Sequence, residues 1–326
     1  MIQDIVTQIT NAKTHLSTRD AFGLALAEFG KLDKRIVVID GDLSQSTRTQ
    51  HFANCHPERF FNVGIAEQNM VSVGAGLATC GKIPIVVTYA TFLIGRGLDQ
   101  IRNMVSYCNL NVKLIGSHVG LATGEDGGTH QALEDIGVVR GLPRVVLLSQ
   151  SDAVETIYAL YTALNIEGPV YIRLSRENSR IIHENQYHFD YLQPEVMRDY
   201  VGAKLAIFAT GTMVARALDV ADLLERRGIE TGAINVHTIK PLATESIEKI
   251  ANEVDLIITI EDHNIIGGLG TAIADVLAKY STQAVLRKIG IEDTFGESGS
   301  VDELYSKYNL TTDSILKRIE KELETI

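Results

Sequence analysis

Short apolar runs alternate along this chain with stretches whose apolar positions recur every three or four residues. The runs Ile36–Ile39, Phe60–Val63, Ile83–Thr88, Val112–Ile115, Val145–Leu148 and Val170–Leu174 carry few or no polar residues. Such runs mark strands buried on both faces, as in parallel sheets, rather than the in–out alternation of a half-solvated sheet. Helical patterns lie between them. Ser17-Thr18-Arg19-Asp20 reads as a capping-box-like start, after which Phe22, Ala25, Leu26 and Phe29 share one face. Further helices are predicted over Ala66–Cys80 and Gly97–Tyr107, and from a cap at Asp152 to Leu164.

The alternation breaks between His183 and Tyr200, a polar and aromatic stretch containing Pro194, and restarts at Lys204. Strands follow at Leu205–Ala209, Thr231–Asn235, Leu256–Ile260 and Ala284–Ile289, with helices near Val214–Arg226, Ser246–Ala251 and Gly268–Tyr280. A charged amphipathic helix, Asp313–Leu323, comes last. Alternating β and α in both halves predicts an α/β protein of two consecutive domains with mostly parallel sheets. The boundaries read as a first domain over 1–185, a linker over 186–202 and a second domain over 203–326.

Composition narrows the functional classes. Thirty Lys and Arg against 41 Asp and Glu give a net charge of −11, which excludes general nucleic-acid binding. No apolar run is long enough to span a membrane, and Met1–Thr14 lacks a signal-peptide core. Three well-separated cysteines, Cys55, Cys80 and Cys108, show no metal spacing. Two of them are expected to be buried thiols, and a reducing cytoplasm is the expected setting. His183 and His188 read as solvated linker residues without a third ligand, so no metal site is predicted. Gly267-Gly268-Leu269-Gly270 lacks the context of a dinucleotide fingerprint and reads as close packing at a helix start.

Candidate chemistry gathers in three places. In Gly64-Ile65-Ala66-Glu67-Gln68-Asn69-Met70, the carboxylate of Glu67 enters the first turn of a helix among small and apolar neighbours. A carboxylate shielded from water takes up a proton more readily and tends to have a task. Asp42, in Asp40-Gly41-Asp42-Leu43-Ser44, sits just past a strand's carboxyl end, where open α/β sheets bind ligands. The Gly-rich loop from Gly116 to Gln131 carries His118, Glu125, Asp126 and His130. Loops of that length inside compact domains are commonly functional, and a histidine can exchange protons near neutrality.

Gly64–Met70 together with Gly124-Glu125-Asp126-Gly127-Gly128-Thr129-His130-Gln131, in this order and spacing, resembles the pyrimidine-binding half of transketolase. The resemblance runs from about Ser17 into the second domain. It implies a role for Glu67 as the catalytic acid that bonds a ring nitrogen of thiamine diphosphate and so activates the cofactor. It implies that Tyr89 and Phe92 pack on the pyrimidine, with Asp42 and Leu43 supporting it. His130 and Asp126 would contact sugar hydroxyls, His130 assisting proton transfer. Arg19, Ser46, His118 and Arg176 would hold a substrate phosphate, a task suited to Arg forks. Gly95 departs from the Tyr or Arg common at its position in relatives.

The family's magnesium- and diphosphate-binding element, Gly-Asp-Gly followed by Asn, is not found; Asp40-Gly41-Asp42 has the wrong order. The resemblance therefore implies the C-terminal subunit of a split transketolase, with thiamine diphosphate and Mg2+ gripped by an N-terminal partner subunit, assembling as a heterotetramer. The implied reaction is transfer of a two-carbon ketol unit between sugar phosphates in the pentose phosphate pathway. Rival readings are a 1-deoxyxylulose-5-phosphate synthase-like enzyme, a 2-oxoacid dehydrogenase β-subunit-like enzyme, or a non-catalytic regulatory paralogue.

Overall fold

The computed structural model describes residues 2–324. Its strands, in chain order, are β1 (His15–Ser17), β2 (Ile36–Asp40), β3 (Phe60–Asn62), β4 (Ile83–Tyr89), β5 (Lys113–Ser117), β6 (Val146–Ser149), β7 (Val170–Leu174), β8 (Asn178–Arg180), β9 (Glu195–Arg198), β10 (Leu205–Ala209), β11 (Thr231–Asn235), β12 (Thr238–Lys240), β13 (Leu256–Asn264) and β14 (Val285–Ile291). A seven-stranded sheet has the order β12-β6-β7-β5-β4-β2-β3, and a five-stranded sheet the order β14-β13-β10-β11-β9. Pairing is parallel throughout both, except for β12 against β6 and β9 against β11. Two α/β domains with mostly parallel sheets result, as the apolar runs predict.

Alternate strand residues feed opposite layers. Val38, Ile85, Val87, Ile115 and Ile172 pack with Phe22, Leu26 and Phe29 of the helix Thr18–Leu32 and with the helix Ala153–Asn165. Val37, Ile39, Val86, Leu114 and Leu147 pack on the other face with Met70, Val71 and Ala75 of the helix Glu67–Thr79. Burial on both faces is why these strands read as continuous apolar runs.

Several segments depart from the sequence reading. The polar first turn of the chain is a helix, Ile2–Thr10, whose Ile5, Val6 and Ile9 are buried. The stretch Gly97–Tyr107 is a short helix, Leu98–Gln100, followed by π-helical Ile101–Ser106. The linker is not structureless, because β9 pairs antiparallel with β11 at the edge of the second sheet. Past β11, the chain sends β12 back to the edge of the first sheet, where Thr238 lies opposite Leu148. The two domains therefore share a hydrogen-bonded ladder.

Two expectations about side chains are corrected. All three cysteines are exposed. They sit at helix ends, Cys55 closing the helix Gln50–Cys55 and Cys80 capping Glu67–Thr79, where apolar sequence neighbours do not ensure cover. His183 is buried rather than solvated, with Nδ1 3.0 Å from Asp152 Oδ2 and Nε2 2.8 Å from Glu195 Oε2. Burial alone would lower its pKa, but the Asp152 and Glu195 carboxylates raise it to about 11. Tyr187 and Asn235 bond the same Glu195, and both also reach Glu155. Among the described residues, Glu155, His183 and Glu195 bring their polar atoms within 4.8 Å of one another, and an imidazolium bonded by carboxylates accounts for that closeness.

The Gly267–Gly270 run is close packing, as expected. Glu261 of β13 accepts from the backbone N–H groups of Leu269 (2.6 Å) and Gly270 (2.8 Å), and a side chain at Gly268 would overlap its carboxylate. Burial pushes the Glu261 carboxyl up to about 7, against the opposing pull of those two amides.

Candidate active site

The candidate residues collect at the carboxyl ends of β2, β4, β5 and β7. Asp40, the last residue of β2, is fully buried. It accepts from Leu43 N (2.7 Å) and from the hydroxyls of Thr47 (2.9 Å) and Thr49 (2.8 Å), which folds the following loop back over the strand end. Burial raises its pKa, although these bonds pull the other way. The turn places Asp42 in the left-handed region at φ 67°, exposed, with Oδ1 accepting from Asn62 Nδ2 at 2.8 Å. Leu43 is half-buried beside it.

Glu67 opens its helix with 4% of its surface exposed. Arg96 Nη1 donates to its Oε1 at 2.7 Å, and the Arg96 guanidinium lies 4.2 Å over the ring of Phe92. Phe92 stacks on Tyr89 at 5.5 Å, and Tyr89 stacks on His118 at 3.7 Å. His130 meets Phe92 edge-on at 5.1 Å and Tyr89 at 5.8 Å. Four residues that the sequence reading singles out thus form one aromatic wall.

His118 links that wall to a cationic group. Its Nε2 lies 3.3 Å from Arg19 Nη1, and its Nδ1 2.9 Å from Ser117 Oγ. A guanidinium only donates, so Nε2 accepts and the ring proton sits on Nδ1, directed at Ser117. Burial first, then the nearby Arg19 and Arg176 charges, hold the His118 pKa far below its ordinary value. Arg19 also donates to Ser46 O at 2.9 Å. Its own pKa is lowered by burial and by Arg48, and its buried Nε has no hydrogen-bond partner among the described residues. Arg176 donates to Thr123 O at 2.6 Å and lies 3.7 Å from Asp126. Arg19 and Arg176, with Glu125, Glu177 and Gly124, line a cavity of about 250 Å³ that Gly299–Val301 of the second domain also border. An unpaired buried donor and gathered guanidinium groups suit an anion.

The Gly-rich loop is mostly buried and includes a 3-10 turn, Leu121–Asp126. Asp262, from β13 of the second domain, accepts from Leu121 N at 2.9 Å and Ala122 N at 3.4 Å and from Tyr305 OH at 3.0 Å. Gln131 Nε2 donates to Gly124 O (3.2 Å) and to Glu297 O (3.0 Å). The second domain therefore fixes both ends of the loop that carries Asp126 and His130.

Of the sequence-predicted residues, Phe92, His118 and His130 all contact Tyr89, and Arg19 and Arg176 line the adjoining cavity, Arg19 bonded to the Ser46 carbonyl and Arg176 lying beside Asp126. Glu67 joins the wall through Arg96. Gly95 is exposed, and a side chain there would meet nothing within 4 Å. Sequence reasoning missed Asp40, Arg48, Arg96 and Asp262. Arg96 was within reach, one helical turn past Phe92. Asp262 was not, since nothing in the local pattern around β13 points to the loop.

The fold and site together define an α/β protein of two domains with mostly parallel sheets, whose aromatic wall, buried acid and arginine-lined cavity gather at strand ends. Residues 14–181 match the transketolase pyrimidine-binding domain, and residues 195–315 the transketolase C-terminal domain. A protein from Methanocaldococcus jannaschii, provisionally described as a transketolase C-terminal section, is 43% identical over 94% of this chain and 96% of its own. A 6-deoxy-6-sulfo-D-fructose transketolase subunit, SqwH, from a Clostridium strain is 37% identical, covering 92% of each chain. A solved structure described as a split gene transketolase, inactive beta4 tetramer, superposes with a TM-score of 0.86 at 40% identity over 94% of this chain and 98% of that one. The transketolase of Campylobacter jejuni, at 21% identity and a TM-score of 0.80, shares the fold. The chain belongs to the transketolase family and corresponds to its C-terminal section. That family is thiamine diphosphate-dependent. No helix among the described residues is long and apolar enough to cross a membrane.

Proposed function

We propose that this chain is the C-terminal subunit of a split transketolase, moving a two-carbon ketol unit from a ketose phosphate to an aldose phosphate. The observation that supports the reading is an unbroken run of contacts from the buried Glu67 through Arg96, Phe92, Tyr89 and His118 to Arg19, which lines the cavity. The residues present fit the ring half of the cofactor: Phe92 and Tyr89 offer faces, Glu67 a shielded carboxyl, and Leu43 and Asp42 flank the strand end. When bound, thiamine diphosphate supplies the nucleophilic carbon that carries the ketol unit. Glu67 holds a proton at the ring nitrogen. His130 and Asp126 bond sugar hydroxyls, and His130 relays a proton to or from one of them. Arg19, Ser46, His118 and Arg176 anchor the phosphate, with His118 serving as a neutral hydrogen-bonding group beside the two cations. The Gly-rich loop, held at Leu121 by Asp262 and at Gln131 by Glu297, positions Asp126 and His130.

The metal and the diphosphate are assigned to an N-terminal partner subunit, in a cytoplasmic heterotetramer of the pentose phosphate pathway. In this reading residues 1–185 receive the ring, and 203–326 brace the Gly-rich loop. The test is reconstitution with a diphosphate-domain chain, thiamine diphosphate and magnesium, assayed on pentose phosphates. Turnover by the isolated chain would refute the split. Full turnover by Glu67→Gln in the complex would refute the role of the acid. Consumption of pyruvate would favour a 1-deoxyxylulose-5-phosphate synthase-like activity instead.

A further inference from the structure

We propose that Arg96 is a built-in stand-in for the cofactor's pyrimidine ring: while no cofactor is bound its guanidinium fills the ring's seat, and it must swing clear before the ring can dock. The inference rests on the reading that Glu67 and Phe92 form that seat. One side chain meets both recognition elements at once. Arg96 Nη1 donates to Glu67 Oε1 at 2.7 Å while the guanidinium rides 4.2 Å over Phe92. A guanidinium is flat, carries N–H donors at its edge and stacks on aromatic faces. An aminopyrimidine needs the same two contacts, a face on an aromatic ring and an edge on a carboxylate. Two flat groups cannot share one face and one carboxylate oxygen.

The surroundings favour a movable group. The Arg96 side chain is 48% exposed, whereas that of Glu67 is 4% exposed. Arg96 ends its helix between Gly95 and Gly97, and a side chain at Gly95 would meet open space. The acid is fixed, and the cation can leave toward solvent. The stand-in also has a physical purpose. A buried carboxylate without a partner is costly, so an empty seat would destabilise the free chain. Arg96 supplies the partner until the ring arrives.

Because the binding-competent state is the one with Arg96 displaced, apparent affinity is reduced by the fraction of chains in that state. Were the seat filled about nine-tenths of the time, removing the side chain would tighten binding about tenfold. The experiment is equilibrium binding of thiamine diphosphate with magnesium, by calorimetry, to the chain assembled with its diphosphate-domain partner and with no sugar present. Arg96→Ala is expected to lower the apparent Kd about tenfold, and added ethylguanidinium to raise it again in that variant more than in the wild type. Arg96→Lys, which keeps the charge but not the planar fork, is expected to fall between. In a Glu67→Ala background, Arg96→Ala is expected to have little further effect, since the tether is already gone. Unchanged or weaker binding by Arg96→Ala, with wild-type binding intact, would overturn this inference and leave the proposed function standing. Absence of cofactor binding in every assembled variant, wild type included, would overturn the proposed function and this inference with it.

Discussion

Substituting Gly120 by Ala tests whether the second domain holds the Gly-rich loop in place. Gly120 has φ +73°, and a side chain there would overlap the Asp262 carboxylate. Two costs follow. Placing Ala at φ 73° and ψ −174°, a conformation essentially confined to glycine, costs about 1–3 kcal/mol. Moving Asp262 also gives up at least one of its buried bonds to Leu121 N, Ala122 N or Tyr305 OH. Hydrogen bonds to a charged group are worth about 1.5–3 kcal/mol each. The sum is about 2.5–6 kcal/mol, which lowers Tm by roughly 5–24 °C at 2–4 °C per kcal/mol. Gly228→Ala is the control, because its φ is +79° and nothing lies within 4 Å of the added carbon. That variant bears only the backbone cost of about 1–2 kcal/mol. The assay is thermal unfolding followed by circular dichroism, with both variants at the same concentration. Equal Tm losses in the two would refute the claim that Asp262 clamps the loop.

Other outcomes are expected. His183 is held protonated in the folded state, with a pKa raised to about 11. Its contribution to stability is therefore complete below its ordinary value of 6.5 and is lost as pH climbs through about 11. The stability difference between wild type and His183→Gln, measured by urea unfolding, should shrink over that window, and a constant difference would contradict the buried clasp. Arg19→Lys in the assembled enzyme should reduce kcat/KM for phosphorylated sugars by roughly ten- to a hundredfold, from about 1.5–3 kcal/mol of lost charge-assisted bonding. The same substitution should leave unphosphorylated sugars little changed, and an equal loss for both would argue against a phosphate site. Because Cys55, Cys80 and Cys108 are exposed, all three should react with a thiol reagent in the native chain. A need for denaturant would place them inside.

The sequence determined the central strands, because a strand covered on both faces must be apolar at nearly every position, and that pattern survives without knowledge of its neighbours; the short edge strands β1, β8, β9 and β12 carry no such pattern. It also determined the chemical inventory: an acid set in a helix start at Glu67, histidines on a Gly-rich loop, and arginines past strand ends. Tertiary structure alone decided which of these meet. Tyr89 stacks on His118 because β4 and β5 are neighbours in the sheet. Asp262 reaches Leu121 across 141 residues of chain, and β12 returns to the first sheet by a register that no local periodicity encodes. His183, in a polar stretch that reads as solvated, is drawn under cover by carboxylates from Asp152 and Glu195. Burial and pairing of a polar group depend on what the rest of the chain brings to it, whereas periodicity reports only the face a residue shares with its neighbours in sequence.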